Sequence, residues 1–482
     1  MLLKRFYHDG LAQASYLLGC QATGEAIVID ANRDPLPYLA AAAANGVRIT
    51  HVTETHIHAD FLSGSRELAR RTGAQLLLSA AGGPEWQYAF AGPDGARVLR
   101  DGDEVRVGNV RLDVVHTPGH TPEHLVLVAT DLPASDKPLG AFSGDFLFAG
   151  DVGRPDLLER AADYRGTMRA SARQLYDSLQ RFVARYPDYL QIWPGHGSGS
   201  ACGKSLGAVP MSTLGYEKIA NWALRAGDAE AFVNEVLAGQ PDPPRYFAAM
   251  KTLNRLGPPV LGAPPSAPRL VSDQLATALG SGDRVVDVRS TADYAAGLIP
   301  GTINLPLNTS LVSRAGWFLA HDRPFWLLTG SDDDGPARAA LAELSLIGLD
   351  RCMGWFGNDV IQAARERGTL DRVAQVSASG LAGHLSRGDV TVVDVRNTDE
   401  WDAGHIDGAV HIPLGMIEER LGAIADGRPV VLHCQGGGRS SVAASLLKAR
   451  GVAAVHNLDG GYAAWVASGH AAVQAAKAGA RG

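Results

Sequence analysis

The string Thr55-His56-Ile57-His58-Ala59-Asp60-Phe61 sets two imidazoles either side of one residue, with a carboxylate close behind. On a turn that follows a strand, these three groups can converge on one point. Such a cluster of nitrogen and oxygen donors is what a first-row transition metal takes. A hydrolase with two metals would be expected to carry a further histidine where this chain has Phe61, which cannot ligate. The string therefore points to one metal rather than two.

Three later segments end apolar runs with donors of the same kind. In the segment 116–124 the Pro118-Gly119 pair makes a tight turn that presents His120, the segment 141–145 ends on Asp145, and the segment 192–197 presents His196. One such string alone is more often an ordinary turn or a satisfied core histidine. Four in order predict a metal site assembled from distant strand ends. Asp151, in Ala149-Gly150-Asp151, competes with Asp145 for the acidic position. Cys202 lies in the glycine-rich segment 197–207 shortly after His196. Lys204 could favour its thiolate and bring it into play near substrate, a passive loop cysteine being the alternative.

A second chemical string is His433-Cys434-Gln435-Gly436-Gly437-Gly438-Arg439-Ser440. The cysteine closes an apolar run and Arg439-Ser440 opens a helix. Between them Gln435, Gly436, Gly437 and Gly438 let successive backbone N–H groups turn inward as an anion-binding nest. The helix N-terminus and Arg439 add positive potential, which favours the Cys434 thiolate. The cradle suits a persulfide anion carried on the cysteine, and a phosphate is the runner-up because phosphatase loops use a similar spacing.

Elements must bring these residues together. With 482 residues, 46% hydrophobic and 20% charged, the chain is ordinary globular protein, and at roughly 150 residues per domain it should hold about three domains. A net charge of −7 without a Lys/Arg block speaks against nucleic acid and anionic membranes. The apolar start breaks too early for a signal peptide, and no apolar run is long enough for a bilayer span. Four scattered cysteines do not suggest a disulfide framework, so a cytoplasmic location is expected.

Short β-like runs at 25–29, 48–53, 74–78, 110–115 and 124–128, with helical stretches at 61–71 and 164–186, suit two sheets covered by helices, and 216–256 reads as mostly helical. The Pro/Gly-rich segment 257–265 reads as a linker. Beyond it the chain repeats itself. Val285-Val286-Asp287-Val288-Arg289 recurs as Val392-Val393-Asp394-Val395-Arg396, and the segment 297–307 matches 404–414. Each copy then offers an apolar strand, a loop and an alanine-rich helix, which predicts a small parallel α/β domain made twice. Matching Pro324 to Pro429 puts Thr329 where Cys434 stands and Asp334 where Arg439 stands, so the first copy lacks both nucleophile and cation. Cys352, beyond that loop, reads as packing.

The segments 55–60, 116–120, 142–145, 153–157 and 194–196 resemble the successive motifs of the metallo-β-lactamase fold, and within it the persulfide dioxygenase branch more than the glyoxalase II branch. That resemblance implies an N-terminal αββα sandwich over 1–258. It also implies a single Fe(II) per chain held by His56, His120 and Asp145, with His58, Asp60 and His196 orienting those ligands and Arg154 toward substrate, where the loop reading places Cys202 and Lys204 as well. Members of that family usually carry histidine at the position of Phe61. The segments 392–396, 401–409 and 460–465 with the Cys434 loop resemble a single-domain rhodanese. This implies an active rhodanese α/β domain over 376–476 and a catalytically inactive copy over 268–373.

Together these resemblances imply a persulfide dioxygenase–rhodanese fusion. Glutathione persulfide or a similar thiol persulfide and O2 would yield sulfite, and Cys434, assisted by Arg439, would pass a sulfane sulfur to sulfite to give thiosulfate, or run the reverse. A homo-oligomer is expected. The rival readings are a glyoxalase II-like dinuclear zinc thioester hydrolase with a fused rhodanese, and a sulfur carrier or persulfide sensor.

Overall fold

In the computed structural model, residues 1–157, 166–204, 206–240, 243–424 and 427–474 are described. The start of the helix expected over 164–186 and the end of the domain expected over 376–476 lie outside them. The chain divides into two compact units, one comprising Met1–Pro265 with Ala342–Gly348 and the other Ser266–Leu341 with Leu349–Gly482. No helix among the described residues is long and apolar enough to cross a membrane.

The first unit contains two six-stranded sheets. One orders Leu2–His8, Gln13–Cys20, Glu25–Ile29, Arg48–Thr53, Gln75–Ser79 and Arg97–Leu99; the other orders Ser212–Thr213, Gln191–Pro194, Gly140–Gly144, Leu125–Asp131, Val110–His116 and Glu104–Val107. Their strands are apolar on both faces, and the two-residue period sorts the side chains between layers. Tyr16, Leu18, Ile27, Leu127 and Phe142 point into one core shared by the two sheets. Leu17, Val28 and Val52 face the opposite way into a core with Tyr38 and Leu68 of the helices Leu36–Ala44 and Ser65–Thr72. Val126, Val128 and Ile192 do the same against Leu175 and Phe232 of the helices Met168–Arg185 and Ala229–Leu237. Helix, sheet, sheet, helix is the sandwich expected from the sequence.

Two differences from the sequence reading bear on the site. The helix expected from residue 61 begins at Ser65, because residues 61–64 are held in an irregular turn by tertiary hydrogen bonds: Ser63 N–H donates to Asn254 Oδ1 and Gly64 N–H to the Ala31 carbonyl. The long helical stretch read over 216–256 is broken into Leu214–Ala220, Ala229–Leu237 and Tyr246–Leu256 with short connections.

The second unit contains two smaller parallel sheets. The first repeat orders Ile303–Asn304, Arg284–Asp287, Phe325–Leu328 and Cys352–Phe356; the second orders Val410–His411, Thr391–Asp394, Val430–His433 and Val455–Leu458, with Ala374–Val376 added at the edge. The strand order is the same in both copies, as the internal repeat required.

Candidate metal centre and cysteine loop

Four strands of the sandwich stop at one rim and hand over to the donor segments. Arg48–Thr53 leads into His56, Val110–His116 into His120, Gly140–Gly144 into Asp145 and Gln191–Pro194 into His196. The His56, His120 and Asp145 side chains are all buried and offer ligand atoms within 4.8 Å of one another. His120 Nε2 lies 3.5 Å and His56 Nε2 3.9 Å from Asp145 Oδ2. His56 Nε2 and both Asp145 carboxylate oxygens are buried without a hydrogen-bond partner. Buried polar atoms are almost always partnered, so an orphaned imidazole nitrogen and carboxylate facing one another fit a cation.

The far side of each donor is tied down. His120 Nδ1 pairs with the Arg154 carbonyl at 2.9 Å and His56 Nδ1 with Thr55 Oγ1 at 2.9 Å, which leaves the two Nε2 atoms to face Asp145. Asp145 N–H donates to His124 Nε2 at 3.1 Å. Burial holds both imidazoles neutral, the form a metal takes: His120 is pushed down to about 3, and His56 falls well below its ordinary value, with neighbouring imidazoles adding to the effect. Burial pushes Asp145 up to about 6, against the pull of His196.

His58 points elsewhere. Its Nε2 lies 3.1 Å from Asp30 Oδ1, and although burial is the largest single influence and lowers its pKa, Asp30 together with Asp60 and Glu54 raises it to about 9. His58 Nδ1 is buried without a hydrogen-bond partner, and His58 stands outside the group formed by His56, His120 and Asp145. Asp30 also accepts from Thr55 N–H (2.7 Å) and Thr55 Oγ1 (3.0 Å), from a left-handed backbone with φ 55°. A non-glycine residue there is uncommon. Sequence reasoning missed Asp30, although an acid closing the apolar strand Glu25–Ile29 was a readable signal. It also missed Asn254, whose Nδ2 donates 2.8 Å bonds to the His58 and Phe61 carbonyls.

A second buried donor group adjoins the first. Asp60, His196 and Cys202 offer ligand atoms within 4.8 Å of one another. His196 Nε2 lies 3.3 Å from Asp60 Oδ2 and 3.4 Å from Asp145 Oδ1, and both Asp60 oxygens are otherwise unpartnered. Phe61 is fully buried with its ring centroid 4.3 Å from that of His58. Where Phe61 supplies no donor, Cys202 supplies one that the local string did not reveal, because Cys202 is distant in sequence.

Two expected contacts, those of Lys204 and Arg154, differ in the structure. Lys204 does not activate Cys202: its Nζ bonds to the Glu235 carboxylate (2.8 Å) and carbonyl (2.6 Å) and lies over the Trp222 ring. Burial, with Asp60 and Asp145 beside it, pushes the Cys202 thiol well above its ordinary value. Arg154 is buried, with its guanidinium forked onto Asp156 by two 2.7 Å bonds, so it braces the His120 turn through its backbone where a substrate contact was expected. Asp151, the rival ligand, accepts from Trp222 Nε1 (2.8 Å) and Lys204 N–H (2.9 Å) and stands outside the donor group.

In the second repeat, Cys434 ends the strand Val430–His433 and is almost completely buried. Gly437 N–H donates to Cys434 Sγ at 3.1 Å and Ser440 Oγ at 3.5 Å. Burial raises the thiol, but the Ser440 hydroxyl, the Ser440 and Gly436 N–H groups and the Arg439 charge outweigh it and hold Cys434 below its ordinary value. Gln435 and Gly438 complete the loop, whose carbonyls are anchored by Tyr462 N–H to Cys434 (2.7 Å) and Ala463 N–H to Gln435 (3.0 Å). Arg439 is not a bare cation: Glu400 takes its guanidinium at 2.6 and 2.7 Å. In the first repeat, Thr329 Oγ1 donates to the Ser331 carbonyl, and Ser331 Oγ to Asp333. That loop is bonded to itself through hydroxyl and acidic side chains. Burial raises the Cys352 thiol to about 11.

The model of the metallo-beta-lactamase superfamily matches residues 8–196, and that of the rhodanese-like domain matches residues 377–468. A crystal structure of a metallo-beta-lactamase from Staphylococcus aureus is 41% identical, covers 74% of this chain and 99% of its own, and superposes with a TM-score of 0.68. A hydroxyacylglutathione hydrolase from Polaromonas is 35% identical over 38% of this chain, which spans 61% of that relative's length. The mitochondrial persulfide dioxygenase of Homo sapiens is 28% identical over 41% of this chain and 68% of its own length.

Proposed function

Since this chain belongs to the metallo-beta-lactamase superfamily and carries a C-terminal rhodanese-like domain, we propose that it is a persulfide dioxygenase coupled to a sulfurtransferase. His56, His120 and Asp145 would hold one Fe(II), a facial set of two imidazoles and one carboxylate with open positions. Ferrous iron, when bound there, supplies the redox chemistry that joins O2 to the outer sulfur of a low-molecular-weight persulfide such as glutathione persulfide. In sum, persulfide, O2 and water give thiol, sulfite and two protons. The observation that supports this reading is the donor group itself, two imidazoles and one carboxylate from His56, His120 and Asp145, with His58 outside it, where a third imidazole would favour a hydrolytic zinc. His124 sets Asp145 through its backbone, Asn254 and Asp30 set the string 54–61, and the buried walls exclude water.

At the other site the Cys434 thiolate attacks the outer sulfur of a donor. The donor S–S bond breaks, the donor leaves with the electron pair, and a Cys434 persulfide remains in the N–H cradle. Sulfite then attacks the outer sulfur through its own sulfur, and thiosulfate departs as the Cys434 thiolate returns. The reverse direction uses the same residues. The first repeat, without nucleophile or cation at Thr329 and Asp334, takes no part in bond making.

One rival keeps a specific observation in its favour. The Asp60, His196 and Cys202 group would serve a second metal in a thioester hydrolase. Anaerobic purification, metal analysis and O2 uptake with glutathione persulfide separate the two: one iron per chain with persulfide-dependent O2 uptake is expected. Two zinc ions per chain, thioester hydrolysis and no O2 uptake would sink the dioxygenase.

A further inference from the structure

The cation that belongs to the Cys434 loop by sequence is already engaged, because the Glu400 carboxylate forks onto Arg439. Another arginine stands at the same loop and comes from the other repeat. Arg314 lies on the helix Leu311–Phe318 of the first copy. A Cβ placed on Gly438 would lie 3.4 Å from Arg314 Nη2, which puts the guanidinium against the glycine cradle. The helix is seated firmly there, since a Cβ on Gly415 of the second copy would collide with the Trp317 ring. Further bonds fasten the copies together. Asn304 N–H donates to Ser445 Oγ at 2.9 Å in a buried position, and Arg284 pairs with Glu418 at 2.5 Å.

Arg314 is partly buried, and among the described residues no carboxylate pairs with it. Burial lowers its pKa, and the charged groups that act on it are Cys434 and Arg439. A desolvated guanidinium without a carboxylate is costly to keep, and its planar fork matches an oxyanion.

We propose that Arg314, supplied by the inactive repeat, is the oxyanion-recognition residue of the Cys434 site, its guanidinium taking the sulfonate oxygens of thiosulfate or of attacking sulfite. The inference rests on the sulfurtransferase reading above and adds the residue that selects a sulfur oxyanion over an uncharged donor. In the loading direction the Cys434 thiolate attacks the outer sulfur of thiosulfate, the S–S bond breaks and sulfite leaves with the bonding pair. Arg314 neutralises the sulfonate charge throughout and transfers no proton. The first repeat thereby has a chemical reason to be retained after its own loop lost nucleophile and cation.

Two readouts on the full chain test this. The first measures how much sulfite shields Cys434 from iodoacetamide, followed by peptide mass; sulfite binds the reduced site without donating sulfur. Arg314→Gln should need about tenfold more sulfite, the scale of one charge-assisted hydrogen bond, and Arg314→Lys should recover part of the loss. The second compares KM for thiosulfate with KM for cysteamine persulfide, which has no sulfonate, using cyanide as acceptor. Arg314→Gln should raise the thiosulfate value about tenfold and the persulfide value far less. Unchanged sulfite shielding in Arg314→Gln overturns the inference, and so does an equal rise for both donors, the mark of a disturbed loop. If the unaltered chain shows no Cys434-dependent transfer to cyanide, the sulfurtransferase reading fails instead, and the sulfite comparison still decides Arg314.

Discussion

Cys434 is buried, which by itself would silence a thiol, yet Ser440, the loop N–H groups and Arg439 tilt it toward the thiolate. A folded-state pKa below the ordinary value means that the thiolate persists as pH falls past the point where a free cysteine, at about 8.5, protonates. Alkylation of Cys434 by iodoacetamide should therefore have its pH midpoint below that of free cysteine, and Ser440→Ala should move the midpoint upward. A midpoint at or above the free-cysteine value would remove the nest as the source of activation. Cys202 is the opposite case, raised by burial beside Asp60 and Asp145. Its neighbour Lys204 looked like an activator in the sequence and is spent on Glu235. Distance along the chain says which residues are close, but not which way a long flexible side chain turns.

At the scale of elements, the metal centre depends on how closely the turns after four strands approach. Gly153 shows this most sharply, because a Cβ there would collide with the Asp145 carbonyl oxygen, and a Cβ at Gly195 would come within 2.9 Å of Asp145 Oδ1. Gly153→Ala should displace Asp145, destabilise the first unit by about 1–3 kcal/mol as an overpacking change, and lower the bound metal per chain. Denaturant midpoints and metal analysis check both, and full metal content in a stable variant would show that the turn has slack. The strand ends and their donors were legible because strand, turn and donor recur four times. The late start of the expected helix 61–71 was not legible, since the bonds from Asn254 and Ala31 that hold residues 61–64 come from elements far away in sequence.

For the whole molecule, the proposed function makes the two chemistries share an intermediate: sulfite made at one site would be the acceptor at the other, and fusion would raise its effective concentration. With glutathione persulfide as substrate, Cys434→Ser should raise the sulfite released per O2 consumed at the expense of thiosulfate. An unchanged thiosulfate yield would take the third domain out of the reaction. The sequence alone determined the layered α/β architecture, the duplication and the identity of His56, His120, Asp145 and Cys434 as candidates, because strand period, glycine turns and repeat matches are local or self-similar signals. Only the tertiary structure decided that His58 serves Asp30, that the Arg154 carbonyl braces the His120 turn, that Cys202 joins Asp60 and His196, and that Arg314 of one repeat reaches the loop of the other. Each of these is a meeting of residues far apart in sequence, fixed by burial and by the partner nearest each polar atom. That pairing is absent from any single stretch of sequence. So Phe61 on its own argued for one metal, while the folded chain brings Cys202, distant in sequence, to the same rim as Asp60 and His196.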